Sequence, residues 1–542
     1  MGVAKLLDCT LRDGAYLVDK KFGDPAIAGI IDGLMKARVD YIEIGFLQDE
    51  GFGDGKTVFK NAADAKRFIP DDKRNCKFSV LADYSRYSIS NLEDNPGNSI
   101  DIVRECFFKH ERFEAMKVCQ EIKKKGYEVF VQPVDALGYT DAELIELIDL
   151  VNQVEPYCFS IVDTFGSMYE EDLQHIYSIV NHNLVSNCKI GFHSHNNMQL
   201  SSSLSQAFLR MNGGKRKGII DGTISGMGRG AGNTPTELIA EYMVRKLGYD
   251  YNMDALLDII DSYMDNIRAK CNWGYSTPYF IAGCYSAHVN NVTYLTQKSS
   301  IRSKDIRFIL NKIGAAARKR YPYDLLEKTY LEYLQSDIDD SETMSKLENV
   351  LKGKTVVVIA PGQTATTQCS LVQKYIEENN AVVITVNFIH DEIIGDFVYM
   401  SNAKRYRYWI HTEKFQSAHK ILTSNIIDGN VNANDEDTFV VSFTKLVKCG
   451  WEHLDNSSIM LLRLLDTFEL KQLAIAGLDG YSYFTDGKLN YVNQDLELSN
   501  VKENPMELNE EIHDMLKDFI KSRKQKYNIN FITESRFSSI VE

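Results

Sequence analysis

The chain has 542 residues, 44% of them hydrophobic and 25% charged, with a formal net charge of −14. That length calls for two or three domains with sizeable cores, and the composition is that of an ordered globular protein rather than a disordered one. Seventy-five acidic against 61 basic residues argue against a general nucleic-acid binder.

Short apolar runs rich in Val, Ile and Phe recur along the first half of the chain. They predict strands at Ala4–Asp8, Tyr41–Gly45, Phe78–Ala82, Ile100–Val103, Glu128–Pro133, Phe159–Asp163, Lys189–His193 and Gly218–Thr223. Between them lie helical patterns such as Asp141–Val154, with Thr140 available as an N-cap. Eight βα units in about 240 residues is the size of a TIM (β/α)₈ barrel, and a doubly wound open sheet is the rival on pattern alone. From Glu237 to Asn349 the pattern is helical without strand alternation. Buried-looking strands return in KTVVVIAPGQTATTQ, AVVITVNF and AIAGLDGYSYF. They predict a small Rossmann-like α/β domain ending near Tyr491, followed by a charged helical tail. The expected division is a barrel over 1–275, a helical extension over 276–350 that closes the barrel mouth, and the α/β domain over 351–542.

No apolar run approaches about 18 residues, and MGVAKLLDCTLRDG lacks the apolar core of a signal peptide. Ten cysteines lie scattered without CxxC pairs, which suits a reduced compartment. A cytoplasmic protein without nucleic-acid or membrane partners is expected.

Three segments carry chemistry. In GFHSHNN, His193 and His195 are two apart on a strand, so their side chains project the same way at the strand's C-terminal end. In a barrel that end is the catalytic mouth, and two imidazoles with a carboxylate suit a divalent metal that must also bind substrate. In DCTLRDG, at the end of the first strand, Asp13 lies within reach of the histidines once strand eight closes the ring, and Arg12 adds a fixed positive charge. In DGTISGMGRGAGNTPTE, five glycines between Gly222 and Gly232 allow backbone such as that of Gly230 to approach a substrate closely, and Asn233 offers an amide oxygen to the metal. Alone, each segment reads better as an ordinary strand end, turn or connector. Their combination is what carries the chemistry.

TLRDG, IEIGF, VDTFG, HSHNN and GAGNTPTE, in that order, make the chain from about Lys5 to Asn290 resemble the DRE-TIM metallolyase superfamily, with the glycine-rich loop most similar to the 4-hydroxy-2-oxovalerate aldolase branch. The resemblance implies metal binding by Asp13, His193 and His195, with Asn233 as a fourth ligand; Mn²⁺ is expected first, with Mg²⁺, Co²⁺ and Zn²⁺ as alternatives. It implies that Arg12 stabilises an enolate oxygen and that Glu43, Asp163 and Thr164 face the same mouth. The aldolases carry a histidine base two residues after RDG, where this chain has Tyr16. A phenol with a pKa near 10 serves more readily as a donor than as a base. Tyr285 and His288, on the segment expected to cover the site, are further candidate proton carriers. The implied activity is an aldolase or lyase working through a metal-bound enolate of pyruvate or a related 2-oxo acid, with an aldehyde as partner. An acetyl-CoA-dependent Claisen-type acyltransferase and a non-catalytic binding barrel are the alternatives. A homo-oligomer is expected, and the C-terminal segment APGQT has neither a dinucleotide nor a phosphate-loop pattern.

Overall fold

A computed structural model describes residues 4–213, 216–298, 301, 303–334, 338–426, 437–448, 451, 455–482, 490–492 and 505–541. The chain forms two compact units, Met1–Thr293 with Ile306–Pro322, and Tyr294–Asp305 with Tyr323–Glu542.

Eight parallel strands make up the first unit: β1 (Ala4–Asp8), β2 (Tyr41–Leu47), β3 (Lys77–Asp83), β4 (Ile102–Phe107), β5 (Glu128–Pro133), β6 (Cys158–Asp163), β7 (Lys189–Ser194) and β8 (Gly218–Gly222). Each pairs with the next, and β1 pairs with both β2 and β8, so the sheet closes on itself. A two-residue strand, Val58–Phe59, adds to β2 beside a register shift between Glu43 and Phe46. All of β2, β6 and β8 is buried, which is why these strands read as continuous apolar runs rather than alternating ones.

The main core lies between the strands and the surrounding helices, and a second cluster fills the ring itself with Leu7, Tyr41, Ile102, Phe130, Cys158 and Ile219. Burying each such side chain contributes about 1.5–3 kcal/mol. Two residues beyond Tyr41, Ile102 and Ile219 the positions turn polar, at Glu43, Arg104 and Asp221, and Ser79 of β3 is polar too, all buried. The helix Asp141–Val154 starts where the pattern places it. Thr140 accepts from the Glu143 amide, and the Glu143 carboxylate accepts from the Thr140 amide, which satisfies two helix-end donors.

The second unit holds an open, all-parallel sheet: β9 (Thr355–Ile359), β10 (Val382–Val386), β11 (Phe397–Met400), β12 (His419–Thr423), β13 (Thr438–Val441), β14 (Gln472–Ala476) and β15 (Asn528–Phe531). The order is β13-β12-β11-β10-β9-β14-β15, so the winding reverses between β9 and β14. The expected end of this domain near Tyr491 is corrected. Beyond it the amphipathic helix Pro505–Ser522 buries Leu508, Ile512, Met515, Leu516 and Phe519, and β15 then pairs with β14. The charged face of that helix hid its apolar stripe. Among the described residues no helix is long and apolar enough to cross a membrane.

Candidate metal centre

Asp13 ends a short helical turn, Thr10–Asp13, that follows β1, while His193 lies in β7 and His195 one residue past its end. The Asp13 Oδ2 atom is 3.2 Å from His193 Nε2 and 3.6 Å from His195 Nε2. Ligands bound at about 2.1 Å in tetrahedral or octahedral arrangement lie roughly 3.0–3.4 Å apart, so this spacing suits one divalent ion.

Each histidine is oriented from behind. His193 Nδ1 is 3.0 Å from Asp221 Oδ2, and His195 Nδ1 is 3.0 Å from the carbonyl oxygen of Asp163. With Nδ1–H donating to those oxygens, both Nε2 lone pairs face Asp13, which is the arrangement a metal requires. Asn233 is buried and bridged to His195 through the backbone, and its Oδ1 has no hydrogen-bond partner. A buried carbonyl oxygen left bare is costly, and a metal ion would satisfy it. The donor set therefore fits a divalent cation. The loop reaches Asn233 through Gly232, whose φ is +81° and where a Cβ would run into the Gly226 carbonyl.

Arg12 is held on both sides, by Nε to Glu43 Oε2 at 2.7 Å and by Nη1 to Asp13 Oδ2 at 2.7 Å. Below it Arg104 sits fully buried against Glu43 at 3.1 Å and against Asp221. Burial alone would protonate Asp13, but Arg12 and the two histidines hold it well below the usual carboxylate range. Burial works against charge on His193 as well, yet its bonds to Asp13 and Asp221 raise its pKa.

A cavity of about 620 Å³ opens over this cluster, lined by Arg12, Asp13, Tyr16, Thr164, His193, His195, Arg229 and His288 among others. The Tyr16 ring packs edge-on against Phe46 at 5.3 Å, with the Arg229 guanidinium 3.9 Å over its other side. Burial raises the Tyr16 pKa despite the opposing charges of Arg229 and Arg12, so the phenol stays protonated. His288 Nδ1 accepts from the Asn290 amide at 3.1 Å, which puts its proton on Nε2. Burial and the nearby Arg229 depress its pKa to about 3, leaving a neutral imidazole.

Four of the expected residues lie elsewhere. Glu43 is buried beneath Arg12 and does not line the cavity. Asp163 takes up the Ser167 and Met168 amides and the Ser194 hydroxyl, which turns its carboxylate away from the mouth. Gly230, at φ +68°, packs against Val289 and Asn197. Tyr285 caps the helix Thr277–Cys284, and the exposed Arg307 hydrogen-bonds its side chain outside the cavity lining. The turn at Ser286, with φ +47°, sends Tyr285 and His288 in different directions despite their helical spacing. Conversely, Asp221, Arg104 and Arg229 carry weight that the motifs did not assign. The visible signals were an aspartate and an arginine inside apolar strands, IIDG and IVREC.

Residues 4–262 match the HMGL-like family model. The chain is 27% identical over 251 residues to an oxaloacetate decarboxylase from Mycobacterium tuberculosis, covering 44% of this chain and 70% of that protein. It is 29% identical over 345 residues to a 4-hydroxy-2-oxovalerate aldolase from Shewanella pealeana, covering 60% of this chain and 95% of that protein. Among solved structures it is similar to an HMG-CoA lyase from Bacillus subtilis, at 16% identity and a TM-score of 0.41, over 48% of this chain and 93% of that one. The match to the HMGL-like family model falls on the barrel of this chain, which resembles the DRE-TIM superfamily through it.

Proposed function

We propose that the barrel is a divalent-metal-dependent lyase that makes or breaks the carbon–carbon bond beside the carbonyl of a 2-oxo acid such as pyruvate, with an aldehyde as the other partner. Asp13, His193, His195 and Asn233 would hold the ion, with Mn²⁺ the first candidate. When bound, it supplies a Lewis acid that polarises a carbonyl oxygen and stabilises enolate charge. The observation that carries the reading is Arg12. Two of its nitrogens are committed to Glu43 and Asp13, no protein group among the described residues takes Nη2, and the residue lines the cavity beside the three ligands. A fixed guanidinium there stabilises negative charge on a substrate oxygen without reorganisation.

Tyr16 and His288 both present donors, and neither is poised as a base. In the condensation direction a solvent base takes the pyruvate methyl proton, one of the two donates its own proton to the aldehyde oxygen as the new bond forms, and solvent then reprotonates it. In cleavage these transfers run in reverse: solvent first removes the donor's proton, the donor takes the hydroxyl proton as the bond breaks, and solvent returns a proton to the methyl carbon. In this reading residues 1–275 are the catalytic barrel and 276–350 a helical extension that contributes His288, Lys319 and Arg320 to the cavity wall. Residues 351–542 form a separate α/β domain.

The test is hydrogen exchange of the pyruvate methyl group in D₂O with Mg²⁺-loaded protein, followed by NMR. Metal-dependent loss of the methyl signal, abolished by chelation and by His193→Ala, is expected. Full exchange in metal-free protein would overturn the metal requirement. No exchange at all, with CoA released from acetyl-CoA and a 2-oxo acid, would move the barrel to Claisen-type acyl transfer.

A further inference from the structure

Five cations line the cavity: Arg12, Arg86, Arg229, Lys319 and Arg320. Three are neutralised. Arg12 pairs with Asp13 and Glu43, Arg86 with Asp83 at 3.6 Å, and Lys319 with Asp135 at 2.5 Å. Arg229 and Arg320 have no carboxylate partner among the described residues; they lie instead over aromatic rings, Tyr16 at 3.9 Å and Phe108 at 5.9 Å. The cavity's carboxylates are already engaged, Asp13 and Asp83 as above and Glu111 by the Phe108 amide. The positive field is felt by its neighbours, since Arg229 contributes to depressing the pKa of both His288 and Lys20. A bound metal would add further positive charge.

A 2-oxo acid brings one carboxylate, which Arg12 and the metal already answer. At about 620 Å³ the cavity is also in the range, about 300–1,000 Å³, that encloses ligands far larger than a three-carbon acid. A neutral aliphatic aldehyde would leave the half-buried Arg229 guanidinium, and the solvent-exposed Arg320 beside it on the cavity lining, without counter-charge. Planar, weakly hydrated guanidinium forks match phosphate and carboxylate oxygens, and ring stacking holds them in place for that purpose.

We propose that the second substrate of this site is an anionic aldehyde, carrying a phosphate or carboxylate group that Arg229 and Arg320 receive. This rests on the lyase reading above and names the substrate class for it. Arg229 sits over Tyr16, so an anion bound there places the attached carbonyl next to a phenol donor.

The experiment compares pyruvate condensation with glyceraldehyde 3-phosphate, succinic semialdehyde and propanal in wild-type protein, Arg229→Gln and Arg320→Gln. The ratio of kcat/KM for the anionic aldehyde over propanal is the readout, so general damage to a variant cancels. That ratio is expected to fall about tenfold or more in each variant, because a hydrogen bond to a charged group is worth that much. Arg229→Lys and Arg320→Lys should recover part of it. Preference for glyceraldehyde 3-phosphate identifies phosphate as the group, and preference for succinic semialdehyde identifies carboxylate. Calorimetric titration of Mg²⁺-loaded protein with glycerol 3-phosphate and with succinate adds a readout without turnover, and both variants should weaken whichever binds. Equal use of propanal and the anionic aldehydes, or ratios unchanged in both variants, would overturn the proposal while wild-type pyruvate exchange still stands. Loss of that exchange would instead overturn the lyase reading.

Discussion

In the first unit β8 pairs back onto β1, whereas the sheet of the second unit stops at β13 on one side and β15 on the other. Both sheets are parallel and both bury their strands, yet they use polar residues differently. The ring has an interior, and above its apolar floor it holds Arg104 between Glu43 and Asp221. The open sheet carries its polar groups past the strand ends. There, at the reversal between β9 and β14, a crevice of about 160 Å³ is lined by Gly362, Asn387, Gly477 and Asp479 among others. Asp479 accepts from the Thr364 amide at 2.8 Å and from the Thr364 hydroxyl, so its carboxylate is occupied by the protein itself. Closing a sheet creates a place where charge can be stacked in layers beneath a reactive site; leaving it open restricts polar chemistry to the rim.

The largest way to break this contrast is Asp13→Asn. Pyruvate exchange should drop at least about a thousandfold, since a Lewis acid is worth several kcal/mol. Asp479→Ala, in the other unit, should leave exchange unchanged. Next comes the buried layer. Arg104→Met strips the buried Asp221 of its guanidinium and leaves Glu43 with Arg12 alone, and chemical denaturation should show a loss of about 3–5 kcal/mol. Asp221→Asn keeps the shape but weakens the hold on His193. Calorimetry should report metal affinity lower by about 10–100-fold. On the open sheet, Gly477→Ala places a Cβ against the Ala360 carbonyl at φ +70° and should destabilise by about 1–3 kcal/mol.

The last effect is a pH slope. Burial raises Asp8 to about 6, against hydrogen bonds from Thr236 and Thr10 that lower it. The folded state therefore keeps a proton that the unfolded chain releases near pH 4. The stability this proton provides is complete below about pH 4, declines as pH rises to 6, and is gone above that. Asp8→Asn should flatten this part of the stability–pH curve, which a shift of this size makes worth up to about 3 kcal/mol.

All eight barrel strands were legible, Ala4–Asp8 and Glu128–Pro133 to the residue and the others with an end shifted by one to four residues, because a strand buried on both faces announces itself locally. Ile100–Val103 shows the limit. The observed strand runs Ile102–Phe107, and its Arg104 and Glu105 broke the apolar run. Asp13, His193 and His195 were legible for the same local reason: a two-residue period and a strand end are visible in seven letters. Arg104 and Asp221 were not, since their meaning lies in each other, 117 positions apart. In the open sheet, β11, β12, β13 and β15 span four or five residues each and escaped notice.

The candidate metal ligands sit on opposite sides of the barrel's seam. Asp13 follows β1, the histidines belong to β7 and its end, and Asn233 follows β8, the strand that joins them. A nascent chain therefore owns one candidate ligand early and must wait some 180 residues for the histidines and 220 for Asn233. Such long-range closure is slow, and an ion that binds only the finished ring adds its binding free energy to that state alone. Metal loading at this site would act as an inspection step: chains that have zipped the seam would be retained in the folded pool, and chains that have not would gain nothing from the ion.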